Sequence, residues 1–175
     1  DSRTHTARDA FLRLGETGGS THFLVDYDGT VFQTLDLALE ATHSGASVDA
    51  RSVSIDIINP VVLEQPPQSP SGDNAGVVRR LSDFKPIQGQ EQQHWAYTEP
   101  QMEALLDLLG ELVRVLPSVP PVVPRGADGK VPLRFVPGLG ADFRGVAGHL
   151  HVSPKSIDPG SGFDWDAVSR ALPQP

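Results

Sequence analysis

THFLVDYDGTVFQTLD, residues 21–36, is the stretch that sets the architecture. Two runs of β-prone residues, HFLVD and TVFQTL, flank Tyr27-Asp28-Gly29. Asp-Gly between such runs is a strong short-range hairpin signal, because glycine takes the positive φ that a tight strand reversal requires. A hairpin of this kind starts a sheet, and the segments on either side show what packs on it.

Upstream, TARDAFLRL (6–14) reads as a short helix. Thr6 caps it, Asp9 sits in its first turn, and Ala7, Ala10, Phe11 and Leu14 form one face before GETGGS breaks it. Downstream, RSVSIDIIN (51–59) reads as a strand, with Val53, Ile55 and Ile57 on one face and Ser54, Asp56 and Ile58 on the other. A longer helix is predicted over 99–116. Thr98 and Gln101 form its capping box, leucines recur at helical spacing, and Pro117 stops it. FRGVAGHLHV (143–152) reads as a last strand and FDWDAVSRAL (163–172) as a terminal helix. Interleaved strands and helices predict an α/β (mixed α+β) fold: one domain over 1–175, with a central mixed β-sheet flanked by helices and long loop insertions. Residues 60–97, rich in Pro, Gln, Ser and Gly, are too long for a plain connection and read as a functional insertion or a wandering surface loop.

Composition limits the function classes. A formal charge of −8 and the lack of a basic stripe argue against nucleic acid. The chain has no cysteine, so any zinc has to sit on His, Asp or Glu. No apolar run approaches membrane-spanning length, and no signal peptide is legible at DSRTHTARDAF.

GHLHVSPKSIDPG, residues 148–160, concentrates candidate ligands. His149 and His151 share a face if this is a strand, and Asp158 is held by the Pro-Gly that follows. Zinc needs imidazole or carboxylate donors projected from rigid backbone. The spacing alone fits a satisfied polar loop as well. Asp56 sits mid-strand among apolar neighbours, where it is either a general base beside an activated water or a solvent-facing edge residue. His5, His22 and His43 carry weaker signals, each a structural or exposed histidine as readily as a functional one; His43, in the loop EATHSG before the Asp56 strand, is a candidate for a cleft wall.

Taken together, four blocks resemble the zinc-dependent N-acetylmuramoyl-L-alanine amidases, the superfamily of the AmpD-type amidases and the peptidoglycan recognition proteins. STHFLVDYDGTVFQTLDL (20–37) is similar to the family hairpin and EATHSG (40–45) to its Trp-His-Ala-Gly loop, with Thr42 in the place of Trp. RSVSIDIIN is similar to its Ser-Ile-Gly-Ile-Glu strand, and GHLHVSPKSIDPGSGFDW (148–165) to its closing block. IQGQEQQHWAYTEPQMEALLDLLGELVRVLP (87–117) resembles a longer bacterial branch with an insertion before the long helix.

The resemblance implies Zn2+ as cofactor, with His149 and Asp158 as ligands. It places Asp56 at the catalytic glutamate, one methylene shorter, and Ser156 where the family has an oxyanion-stabilising lysine, with Lys155 one residue back. Thr21 stands where several members have a tyrosine and, with His43, is an expected substrate contact. The family's first zinc histidine closes an N-terminal strand, expected here upstream of Asp1. Loss of the site, or substitution by His5 or His151, are the alternatives. The implied reaction is hydrolysis of the amide between N-acetylmuramic acid and L-alanine, which implies peptidoglycan or muropeptide as partner and the periplasm or cell envelope as location. A muropeptide-binding module without catalysis, and an interaction domain keeping only the fold, are the competing readings.

Overall fold

The computed structural model describes residues 6–59, 81–82, 85–92 and 94–173. The first helix, α1 (Ala7–Thr17), begins as its sequence predicts: Thr6 Oγ1 accepts the Asp9 N–H at 3.1 Å. It runs three residues past Leu14, because a single internal glycine costs only about 1 kcal/mol and the left-handed turn comes at Gly18. Ala7 and Ala10 are buried, whereas Phe11 is 51% exposed, at the rim of a small hollow shared with Leu12, Leu14 and Thr34. Asp26 Oδ2 accepts the Ala7 N–H at 3.0 Å and so ties the helix start to the hairpin.

That hairpin is β1 (Phe23–Val25) and β2 (Val31–Gln33), antiparallel, with Leu24 opposite Phe32. Asp28 Oδ1 accepts the Thr30 N–H at 2.8 Å within the turn. Gly29 is at φ +85°, and a Cβ there would lie 2.7 Å from Pro100 O, so the turn docks directly on the next long helix. After the single turn of α2 (Ala46–Asp49), β3 (Ile55–Ile57) pairs in parallel with β1. The sheet order is β2-β1-β3, a small mixed sheet with β1 fully buried at its centre.

The predicted 51–59 strand is thus three residues long. Its flanks bond irregularly: Ser54 O accepts both the His22 and Phe23 N–H groups. The long helix, α3 (Glu99–Val115), has the predicted capping box. Thr98 Oγ1 also donates to Tyr27 O at 2.6 Å, and Gln101 Nε2 donates to Ile58 O at 2.8 Å, so the helix start holds the ends of β1 and β3. The core forms two clusters. Leu105, Leu109, Phe163, Trp165 and Val168 make one, on which Ile55 and Ile57 pack; Ala7, Ala10, Leu24, Tyr27 and Ile58 make the other. The alternation along β3 decides this split.

Two segments differ from the sequence reading. Residues 143–152 are not a strand. Val146 N–H bonds Val122 O at 2.8 Å, and His149–Val152 coil into one helical turn, α5, after the short α4 (Leu139–Asp142). The described part of 60–97 contains a second hairpin, β4 (Lys85–Ile87) and β5 (Gln90–Gln92), followed by buried His94 and Trp95. Residues 60–80, 83, 84 and 93 of that stretch lie outside the described residues. The terminal helix is α6 (Trp165–Ala171), capped by Asp164.

Candidate active site

β3 carries Asp56 into the wall of a cleft of about 960 Å3, which residues 143–149, Leu105, Leu109 and Leu112 of α3, and Trp165 also line. His43, Asp56, His149 and Asp158 all face it. Four residues named from sequence therefore converge on one cavity although up to 115 positions separate them.

His149 and Asp158 are in direct contact. Gly148 makes this possible, because a Cβ at that position would lie 2.7 Å from Pro159 Cδ and 3.0 Å from the Trp165 ring. Leu150 N–H bonds Asp158 O at 2.9 Å, and His149 Nδ1 donates to Asp158 Oδ2 at 2.9 Å. The tautomer follows from the carboxylate, which only accepts. This hydrogen bond is the main cause that raises His149, against the pull of burial. For Asp158, burial works upward, and the His149 bond and charge outweigh it to hold the carboxyl below its usual range.

The Asp56 carboxyl takes no hydrogen bond from the described residues, while its backbone stays in the ladder with β1. Burial pushes its carboxyl up to about 6; the Asp158 charge adds to this and His149 opposes it. A carboxyl in this state is suited to take and release a proton near neutral pH. His43 is held as a neutral ring. Its Nε2 donates to Ser52 Oγ at 2.9 Å, since that hydroxyl already donates to Val48 O, and Ser44 Oγ donates to its Nδ1. Burial lowers its pKa further. Asp49, missed in the sequence, accepts the N–H groups of His43 and Ser44 and so fixes this loop. Arg51 closes the far wall by donating to Gly140 O, Ala141 O and Phe143 O.

Other candidates do not meet there. Thr21 is buried away from the cleft, with its hydroxyl on Phe23 O and Ser54 Oγ. Ser156 and Lys155 do not line the cleft. His151 points into the core, because residues two apart on a helical turn diverge by about 200°. Its Nδ1 accepts the Gly148 N–H and its Nε2 donates to Pro132 O, so both nitrogens are taken. His22 is likewise satisfied, between Ser54 and Leu39 O. His5 lies outside the described residues. His94 was not singled out, yet its Nδ1 accepts the Ser161 N–H at 3.0 Å, and Tyr97 Oη donates to Pro159 O at 2.8 Å. Both brace the loop that carries Asp158. The aromatic HWAY run ending a polar segment was the available signal.

His149 and Asp158 offer one imidazole and one carboxylate donor, a set zinc accepts. Among the described residues no third His, Cys, Asp or Glu joins them in a cluster able to hold a metal. No helix among those residues is long and apolar enough to cross a membrane.

No curated protein matches the chain. Among solved structures it is similar to a selenomethionine derivative of AmpD, at 17% identity and a TM-score of 0.52, over 97% of this chain and 69% of that one. This likeness bears on the fold alone, and it agrees with the small mixed sheet flanked by helices. The family profile described as N-acetylmuramoyl-L-alanine amidase matches residues 1–161. The chain therefore belongs to the N-acetylmuramoyl-L-alanine amidase family, and its general kind of function is that of a peptidoglycan amidase.

Proposed function

We propose that the protein is a zinc-dependent amidase that cleaves the bond between N-acetylmuramic acid and L-alanine. The observation that carries this reading is the convergence of His149, Asp158 and the high-pKa carboxyl of Asp56 on one cleft. His149 and Asp158 would hold the metal, with a third histidine from outside the described residues. Zinc in such a site supplies Lewis-acid polarisation of the scissile carbonyl and activation of water.

Asp56 takes the proton of the attacking water and returns it to the departing L-alanine amine. The water adds to the lactyl carbonyl, the C–N bond breaks, and a carboxylate and a free amine result. The sugar-peptide junction lies in the cleft, with His43 on its wall. The oxyanion role assigned to Ser156 or Lys155 requires those side chains to reach a cleft that they do not line here. A peptidoglycan substrate places the protein in the periplasm or cell envelope.

The test is digestion of a defined muropeptide in added zinc, with the new amine identified by mass. Free L-alanine amino termini are the expected product, and cleavage at any other bond refutes the assignment. The binding-module reading is favoured by one observation, the two-donor set among the described residues. It predicts muropeptide affinity that survives chelation, without hydrolysis.

A further inference from the structure

The turn between β4 and β5 consists of Gln88 and Gly89, at φ +53° and +79°. Two-residue hairpin turns of this hand favour Asn-Gly or Gly-Gly, since a longer side chain is strained at positive φ. Among the described residues Gln88 is the one non-glycine at positive φ. Strain of this kind costs on the order of 1 kcal/mol or more and persists where the surroundings use it.

The side chain shows what the surroundings gain. Gln88 Nε2 lies within hydrogen-bond distance of three backbone carbonyls, Leu150 O at 3.1 Å, Ser153 O at 3.2 Å and Ser156 O at 2.9 Å, so its two N–H groups serve all three with one hydrogen shared. Its Oε1 accepts the Phe135 N–H at 2.9 Å, and its own N–H bonds Leu133 O at 3.0 Å. The three carbonyls lie on the segment that joins His149 to Asp158. One amide at the tip of a distant hairpin thus gathers the whole connection between the two donors.

We propose that Gln88 is a positioning residue for the His149–Asp158 pair. By holding the 150–156 carbonyls it sets the separation and aim of the two donors toward the cleft. The role rests on reading that pair as metal ligands. Orienting partners behind a metal ligand typically change affinity about 10- to 100-fold when removed.

The test uses Gln88→Asn and Gln88→Gly in the intact protein. Both residues suit the positive φ, so the turn survives, but neither reaches the three carbonyls. Zinc affinity is measured by competition with a chromophoric chelator. Hydrogen exchange of residues 149–161 is measured in the metal-free protein, and the melting temperature is recorded for both variants. The expected result is zinc binding weakened about 10-fold or more, faster exchange confined to 149–161, and a melting temperature close to that of the parent. Unchanged zinc affinity, with or without faster exchange, overturns the positioning role. Weaker zinc binding without faster exchange overturns it too, since the effect has to act through the loop. If the parent itself binds no zinc, the ligand reading falls, and exchange alone decides whether Gln88 fixes this loop.

Discussion

Replacing Asp56 by Asn should stabilise the metal-free protein while removing its activity. Burial raises the Asp56 carboxyl from 3.8 to about 6. At roughly 1.4 kcal/mol per pH unit, that shift corresponds to a cost of about 3 kcal/mol for the ionised form in the folded state. The sign follows from linkage. Between pH 3.8 and about 6 the folded state binds more protons at this site than the unfolded one, so stability falls as pH rises through that window. Above it the full cost applies; below it none does. Asn keeps the shape and carries no charge. Water in the open cleft screens part of the cost, so the expected gain at pH 8 is about 1–3 kcal/mol, shrinking toward zero near pH 4. In a chain of this size that is roughly 2–4 °C in Tm per kcal/mol. The assay is urea or thermal unfolding of both proteins, metal-free, from pH 4 to 8. Turnover should fall about 100-fold or more, as for loss of a general base. A variant no more stable than the parent at pH 8, or a gain that does not change with pH, would refute the reasoning about Asp56.

Three other predictions follow from the geometry. Lys155→Ala should leave turnover of muropeptide within about 2-fold of the parent, because that side chain does not line the cleft; a loss of about 10-fold or more would show that the 153–157 loop closes over substrate. Thr98→Ala removes both the helix cap and the bond to Tyr27 O, and should cost about 1–2 kcal/mol in denaturant unfolding. In the metal-free protein, NMR titration should place His149 above an ordinary histidine and His43, His94 and His151 below it. The reverse order would contradict the His149–Asp158 hydrogen bond.

Much of the fold was legible because local signals agreed with the tertiary outcome. Thr98 and Gln101 cap α3 as their spacing predicts, and Asp-Gly sits in the hairpin turn. The last predicted strand failed because alternation in a short glycine-rich run does not separate a strand from a helical turn. The failure mattered for the site, since coiling at Gly148 sends His149 to the cleft and His151 to the core. Asp56, His149 and Asp158 were named through a family resemblance more than through spacing, and that they share one cleft depends on long-range packing that spacing does not encode. Gln88 was not legible at all. Nothing in Ile-Gln-Gly-Gln signals that its amide reaches carbonyls more than 60 residues away.

The central claim is that His149 and Asp158 hold a catalytic zinc. Its most direct test is elemental analysis of the intact protein and of Asp158→Ala after dialysis against trace metal. One zinc per chain in the parent, with little or none in the variant and no muropeptide turnover by it, is the predicted result. Equal zinc in both proteins, or hydrolysis that persists in the variant, would contradict the account.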